Sequence, residues 1–252
     1  EDSITFPVTY TVTDNDGDTA SATLSLTVND VMPISDPSPQ NVEIQPAATN
    51  LMIILDISGS MAEMASSTQT RLQMAKDAIK NLVFAYDQQG EVRVEIVTFA
   101  TNGSASSVWM TTSQALRYID GLAANGGTDY DDALQKAMEG FGSPGKIEGG
   151  TNISYFLTDG KPSFGRGGVD TLKGTQVGDG NPDVLPNNVD EGIQSAEEAT
   201  WKQFLVDNGI MSYALGMGTA VNRTALDPIA FNGIADTDSN GLVVGNMSDL
   251  NQ

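Results

Sequence analysis

Apolar residues fill positions 51–55, from Leu51 through Met52, Ile53 and Ile54 to Leu55, without a polar break. A run of that kind reads as a strand buried on both faces, as in a parallel sheet covered by helices; a half-buried strand would alternate. From there the chain switches between short β-rich runs and longer stretches with apolar residues at helical spacing. Residues 71–86 place Leu72, Ala75, Ile79, Leu82 and Val83 on one helical stripe, residues 92–99 are β-rich, and residues 107–110 predict a short strand. Helices are predicted over 114–122, 131–141 and about 190–207, with a short one near 225–230. Further strands are predicted up to Asp159 and over 211–215 and 242–244. The series predicts a doubly wound, mostly parallel α/β sheet of six strands flanked by helices.

The N-terminal part has a different period. Residues 4–12 and 19–29 alternate apolar residues with Thr or Ser around Asp14, Asn15, Asp16, Gly17 and Asp18, the pattern of a β-hairpin. Two strands form no independent core in water, so the hairpin must either lean on the large domain or belong to a β-sandwich completed elsewhere in a longer parent chain, and the second is the expectation. The stretch after it is Pro-rich, a stiff extended linker. The expected organisation is hairpin 1–34, linker 35–48 and α/β domain 49–252. An opening Glu1-Asp2-Ser3, with neither initiator Met nor leader, reads as a piece excised from something longer.

Charge narrows the partners. A net charge of −21, from 33 acidic against 12 basic residues, excludes nucleic acid and anionic membrane as natural partners, since both require basic patches. No segment approaches the ~20 apolar residues of a membrane-spanning helix, so direct membrane insertion is not expected. The chain has no Cys and no His, which rules out disulfides, thiolate chemistry and a Ser-His-Asp triad. Near residue 140 a P-loop-like string follows a helix and carries Ile147 where Ser or Thr should stand, so it is discounted.

The acidic balance points to cations, and three segments offer them oxygen. The apolar run 51–55 delivers Asp56, Ser58 and Ser60 onto the turn at its end, where ligands gather in open α/β sheets. Alternating carboxylate and hydroxyl donors, with no nitrogen or sulfur, suit hard Mg²⁺ or Ca²⁺. Gly126-Gly127-Thr128-Asp129 precedes the helical pattern from Tyr130, placing the Thr128 hydroxyl at a helix N-terminus. The β-rich run from Asn152 ends in Thr158-Asp159-Gly160 and presents Asp159.

Together these segments resemble the von Willebrand factor type A domain with its metal-ion-dependent adhesion site, whose signature is D-x-S-x-S, a later Thr and an Asp in a T-D-G turn. Asp56, Ser58, Ser60, Thr128 and Asp159 match in that order, and the resemblance spans roughly residues 49–250. It implies a Rossmann-like fold with the site at the C-terminal strand ends. It also implies one Ca²⁺ or Mg²⁺ held by those five residues, some through water, with a coordination position open to a protein carboxylate or a pair of glycan hydroxyls. The N-terminal hairpin resembles the closing strands of Ig-like or cadherin-like repeats in bacterial RTX-type adhesins. The resulting expectation is a non-enzymatic, extracellular cell-surface module of a large bacterial adhesin, serving attachment or biofilm formation beside neighbouring adhesin domains. Two alternatives stand beside it: a metal-dependent phosphatase-like enzyme, against which Ser58 occupies the place of the second Asp of D-x-D, and an intracellular scaffold module of the same domain type.

Additional calcium candidates lie in Asp/Asn/Gly-rich loops. Asp14, Asp16, Asp18 and Asp30 fit a Ca²⁺ loop or a metal-free Asp-Gly turn equally well. Residues 161–189 form a long Gly-, Pro- and Asn-rich connection leaving the T-D-G turn, read either as a loop shaping ligand choice, with Asp179 and Asp183 on a second Ca²⁺, or as a plain surface loop. Asp236, Asp238 and Asn240 copy the first half of an EF-hand loop, yet its twelfth position is Met247 and not Glu.

Overall fold

The computed structural model describes residues 3–13, 17–29, 48–162, 192–193 and 195–244. The chain divides into two units, residues 1–44 and 45–252. In the first, β1 (Ser3–Thr13) and β2 (Thr19–Asn29) pair antiparallel from Ser3↔Asn29 to Thr13↔Thr19, the hairpin that the alternation predicts. Thr9 and Thr23 share a hydroxyl hydrogen bond of 3.0 Å, and Thr11 and Ser21 one of 2.7 Å, on an exposed face. Cross-strand pairs of this type fix register by a few tenths of a kcal/mol each.

The second unit is built on β3 (Thr49–Asp56), α1 (Arg71–Asp87), β4 (Val92–Phe99), β5 (Gly103–Ala105), α2 (Thr112–Asp120), α3 (Tyr130–Phe141), β6 (Thr151–Thr158), α4 (Ser195–Asp207), β7 (Ile210–Met217), β8 (Phe231–Asn232), β9 (Thr237–Asp238) and β10 (Leu242–Val244). The sheet order is β5-β4-β3-β6-β7-β8-β9, with β10 on β7. β3 pairs in parallel with both β4 and β6, and β7 pairs in parallel with β6 and β10, while β5, β8 and β9 are short antiparallel additions.

Burial explains why β3 lacks alternation. Leu51, Ile53 and Leu55 point into a core with Leu72, Ala75, Ile79 and Val83 of α1 and Ala115 and Ile119 of α2. Met52 and Ile54 point the other way, toward Leu134 and Phe141 of α3 and Trp201 and Leu205 of α4. Each such side chain contributes roughly 1.5–3 kcal/mol of apolar burial. Near the strand ends Phe99, Tyr130 and Phe156 form an aromatic triangle, with ring centroids 5.0–5.9 Å apart in stacked and edge arrangements. It stiffens the platform under the loops that follow β3, β4 and β6.

Four features differ from the sequence expectation. The short strand falls at Gly103–Ala105 and not at 107–110, because Trp109 turns inward to pack edge-on against Phe141 and Met110 makes only an isolated bridge to Val94. α4 begins at Ser195 rather than near residue 190; Gly192 sits at φ 109°, outside helical space, and residues 163–191 lie outside the described residues. The helix near residues 225–230 is a single 3₁₀ turn, Arg223–Ala225, capped by Asn222, and the hairpin of β8 and β9 raises the sheet from six strands to eight.

One charged residue sits inside this core. Glu95, on β4, is fully buried, neither carboxyl oxygen has a hydrogen-bond partner among the described residues, and burial pushes its carboxyl up to about 8, the nearby Ser106 hydroxyl opposing. The folded protein therefore keeps the proton between about pH 4.5 and 8 while the unfolded chain loses it, so this residue makes stability fall as pH rises, by about 1.4 kcal/mol per pH unit. Glu95→Gln is expected to remove that contribution: urea denaturation at pH 5 and pH 8 should show a steeper loss in the wild type than in the variant, and equal slopes would contradict the assignment.

Candidate metal centre

The parallel register sets the site. Leu55 of β3 faces Leu157 of β6, so Asp56 and Asp159 emerge from neighbouring strand ends, both fully buried. After β3 the chain turns into the 3₁₀ segment Gly59–Ala62, and the Ser58 amide donates to Asp56 Oδ1 at 2.7 Å. The Thr158 hydroxyl donates to Asp56 Oδ2 at 2.6 Å, and the buried Tyr130 hydroxyl donates to the Gly160 carbonyl at 2.8 Å, with Thr158 Oγ1 at 3.3 Å. Burial raises Asp56 to about 6, hydrogen bonds from Thr158 and Ser58 oppose the shift, and the charge of Asp159 adds to it. The Tyr130 phenol is also raised, by burial first and then by the two carboxylates.

The hydroxyls form a directed chain. Ser60 donates its single proton to Asp159 Oδ1 at 2.7 Å, so Ser58 must be the donor across the 3.0 Å contact between Ser58 and Ser60. Both serine oxygens keep lone pairs. Thr128 joins from the loop before α3: a Cβ placed on Gly160 would lie 3.6 Å from Ser60 Oγ and 3.9 Å from Thr128 Oγ1, so both hydroxyls front the same glycine. Asp129, and not Thr128, caps α3 by accepting from the Asp132 amide at 3.0 Å, which leaves the Thr128 side chain to the site.

Backbone contacts hold the three loops together. Gly59 N donates to Gly126 O at 2.9 Å, Asn125 N to Ile57 O at 2.7 Å and Asp129 N to Ala100 O at 2.9 Å. Gly126 takes φ 87°, and a Cβ there would meet Thr101 Oγ1 at 2.9 Å, so both its dihedral and its surroundings require glycine. The Thr101 hydroxyl in turn accepts from Gly127 N at 2.8 Å.

The structure thus gathers Asp56, Ser58, Ser60, Thr128 and Asp159 at one place. Among the described residues no cluster holds three or more carboxylate, His or Cys ligands, so the donor set is two buried carboxylates and three hydroxyls. That chemistry fits a hard divalent ion: all donors are oxygen, and two buried anions lack a second positive charge to balance them. The nearby cation that the sequence pattern did not reveal is Arg71, at the first turn of α1, whose guanidinium contacts Asp159 Oδ2 at 2.8 Å and Glu63 at 2.7 Å. Thr158 and Tyr130 were missed as well; the T-D-G motif contained the signal for Thr158, whereas nothing in sequence spacing ties Arg71 or Tyr130 to the site.

Among the described residues the additional calcium candidates form no cluster of three carboxylates. Asp238 lies on β9 and forms an ion pair with Lys202, Asp236 stands exposed in a left-handed conformation at φ 52°, and Asn240 is exposed. Only Thr237–Asp238 of the EF-hand-like string is strand, and the carboxylate of Asp238 is engaged by Lys202. Asp18 is exposed beside the hairpin turn, and Asp14, Asp16, Asp30, Asp179 and Asp183 lie outside the described residues.

Residues 51–161 match the von Willebrand factor type A domain family, and the mixed, mostly parallel sheet flanked by helices is the fold of that domain. Solved structures share the fold. Proximal thread matrix protein 1 from the mussel byssus, with zinc in its MIDAS motif, is 17% identical at a TM-score of 0.53, over 82% of this chain and 43% of that one. The minor pilin PilB from Streptococcus sanguinis is 17% identical at 0.54, over 99% of this chain and 72% of that one. The pilus adhesin SpaC from Lactobacillus rhamnosus GG is 13% identical at 0.54, over 83% and 30%. The chain spans less than half the length of the mussel relative. No curated protein sequence matches it significantly. Among the described residues no helix is long and apolar enough to cross a membrane.

The hydrogen-bond network makes one direct prediction. Thr158→Val strips a buried donor from Asp56 Oδ2 and should cost on the order of 1–3 kcal/mol, while Thr158→Ser keeps the donor and most of the stability. Chemical denaturation of both variants checks this, and equal losses would show that the hydroxyl is not what matters.

Proposed function

We propose that the α/β domain is a divalent-cation-dependent binding module of a large bacterial surface adhesin, working outside the cell. Asp56, Ser58, Ser60, Thr128 and Asp159 hold one Ca²⁺ or Mg²⁺, some of them through water. When bound, the ion supplies a positive centre for a carboxylate of an extracellular protein or for glycan hydroxyls. The observation that carries this reading is the convergence of the five oxygen-bearing side chains with only two carboxylates among them, which leaves the ion short of negative charge. The adhesion-related names of the pilus, pilin and byssus proteins sharing the fold support the extracellular, adhesive setting. The hairpin of residues 3–29 is then the end of an Ig-like adhesin repeat, and neighbouring modules of the same chain are partners.

The domain binds and does not catalyse. The sequence has no His to serve as general base, and Ser58 occupies the position where a phosphatase of the D-x-D type needs its proton donor. Attachment or biofilm formation is the task that a surface module of this kind would serve.

Calorimetric titration with Mg²⁺ and Ca²⁺ tests the site. The wild type should bind one ion per domain, and Asp56→Ala should abolish binding while circular dichroism still reports a folded α/β protein. Retention of divalent binding in Asp56→Ala would sink the assignment. A glycan and peptide array probed with and without chelator then identifies the ligand, and signals indifferent to chelator would rule out a cation-bridged mode.

A further inference from the structure

Arg71 takes no part in the five-residue donor set, yet it is built into the centre. Its Nη1 contacts the buried Asp159 Oδ2 at 2.8 Å, its Nη2 contacts Glu63 Oε2 at 2.7 Å, and its own side chain is 25% exposed. The placement is doubly secured. Arg71 N donates to the Glu63 carbonyl at 2.9 Å, Met64 bridges Thr70, and the Thr70 hydroxyl caps α1 by accepting from Gln73 N at 3.2 Å. The guanidinium is therefore fixed at the mouth of the site by the same short loop that follows the D-x-S-x-S turn.

Its position divides Asp159. One carboxylate oxygen accepts from Ser60 and the other is held by the guanidinium, so both oxygens are engaged by the protein. At neutral pH Asp56 and Asp159 bring two negative charges, which a divalent ion alone would balance; with Arg71 the loaded centre carries a net positive charge. Glu63 does not cancel it, because at 62% side-chain exposure its charge is screened by solvent, whereas Asp159 is shielded from water.

Building on the metal reading above, we propose that Arg71 is a positioning and specificity-determining residue that partly neutralises Asp159. It lowers the affinity of the centre for its cation and leaves the loaded centre positive, so that an acidic group is preferred as ligand over neutral sugar hydroxyls. Glu63 acts through Arg71, drawing part of the guanidinium outward and restoring some of the negative charge of Asp159 to the cation.

Mn²⁺ serves as the probe, with affinity read by electron paramagnetic resonance titration. Arg71→Met, which keeps the apolar stem and removes the charge, should bind Mn²⁺ about fivefold tighter or more. Arg71→Lys should stay near the wild type. Glu63→Gln, a surface change, should weaken binding, and its effect should vanish in the Arg71→Met background. A purely structural arginine gives the opposite sign: Arg71→Met folded by circular dichroism but binding Mn²⁺ equally or more weakly overturns the proposal. Should Arg71→Met fail to fold, Glu63→Gln alone decides, and unchanged or tighter binding overturns it. Excess acetate, the simplest carboxylate probe, should alter the Mn²⁺ signal of loaded wild type more than that of Arg71→Met, and equal responses would refute the ligand preference. A wild type that binds no Mn²⁺, indistinguishable from Asp56→Ala, would instead defeat the metal reading itself.

Discussion

Two carboxylates buried side by side at the ends of adjacent parallel strands are the constraint on which the rest of the structure depends. Asp56 and Asp159 emerge from the ends of neighbouring strands with no exposure to solvent, and burying even one unbalanced charge costs several kcal/mol. Everything around them works against that cost. The Ser58 amide and Thr158 hydroxyl take one oxygen of Asp56 each, and Ser60 and Arg71 take those of Asp159. These donors do not suffice: Asp56 remains well above the usual carboxylate range because desolvation outweighs its hydrogen bonds. A second positive charge would complete the balance, and under the proposed function a divalent ion among the hydroxyls would provide it.

The fold makes this arrangement affordable by keeping the site rigid. β3 is packed on both faces, so the residue at its end cannot drift without disturbing two cores at once. The aromatic triangle beneath the loops and the backbone bonds between the 3₁₀ turn, the Gly126 loop and the end of β4 hold three chain segments to one geometry. Preorganised oxygen donors lose little entropy when a cation arrives. Such a centre would grip an ion with few charges and leave it receptive to an external oxygen.

Much of this was legible in the sequence because it rests on local rules. The unbroken apolar run 51–55 announced a doubly buried strand, and the hydroxyls and carboxylates of Asp56, Ser58, Ser60, Thr128 and Asp159 followed from motif and turn chemistry; the structure brings all five together. The hairpin likewise follows from its period of two. What escaped depends on tertiary reach. Arg71 finds Asp159 across 88 positions only because α1 starts beside the end of β6, and Tyr130 reaches Gly160 through the core. The short edge strand was misplaced because Trp109 is drawn inward by Phe141, a packing preference invisible in the run 107–110. In the EF-hand-like string, likewise, the carboxylate of Asp238 goes to Lys202, a partner from α4 that the local spacing does not show.

Anomalous diffraction from Mn²⁺-soaked crystals is the most direct test of the central claim. The account predicts a single strong peak among Ser58, Ser60 and Thr128, flanked by Asp56 and Asp159, with one coordination position filled by water or by a neighbouring acidic group. A map without a peak there, or an ion enclosed entirely by the protein's own side chains, would contradict it.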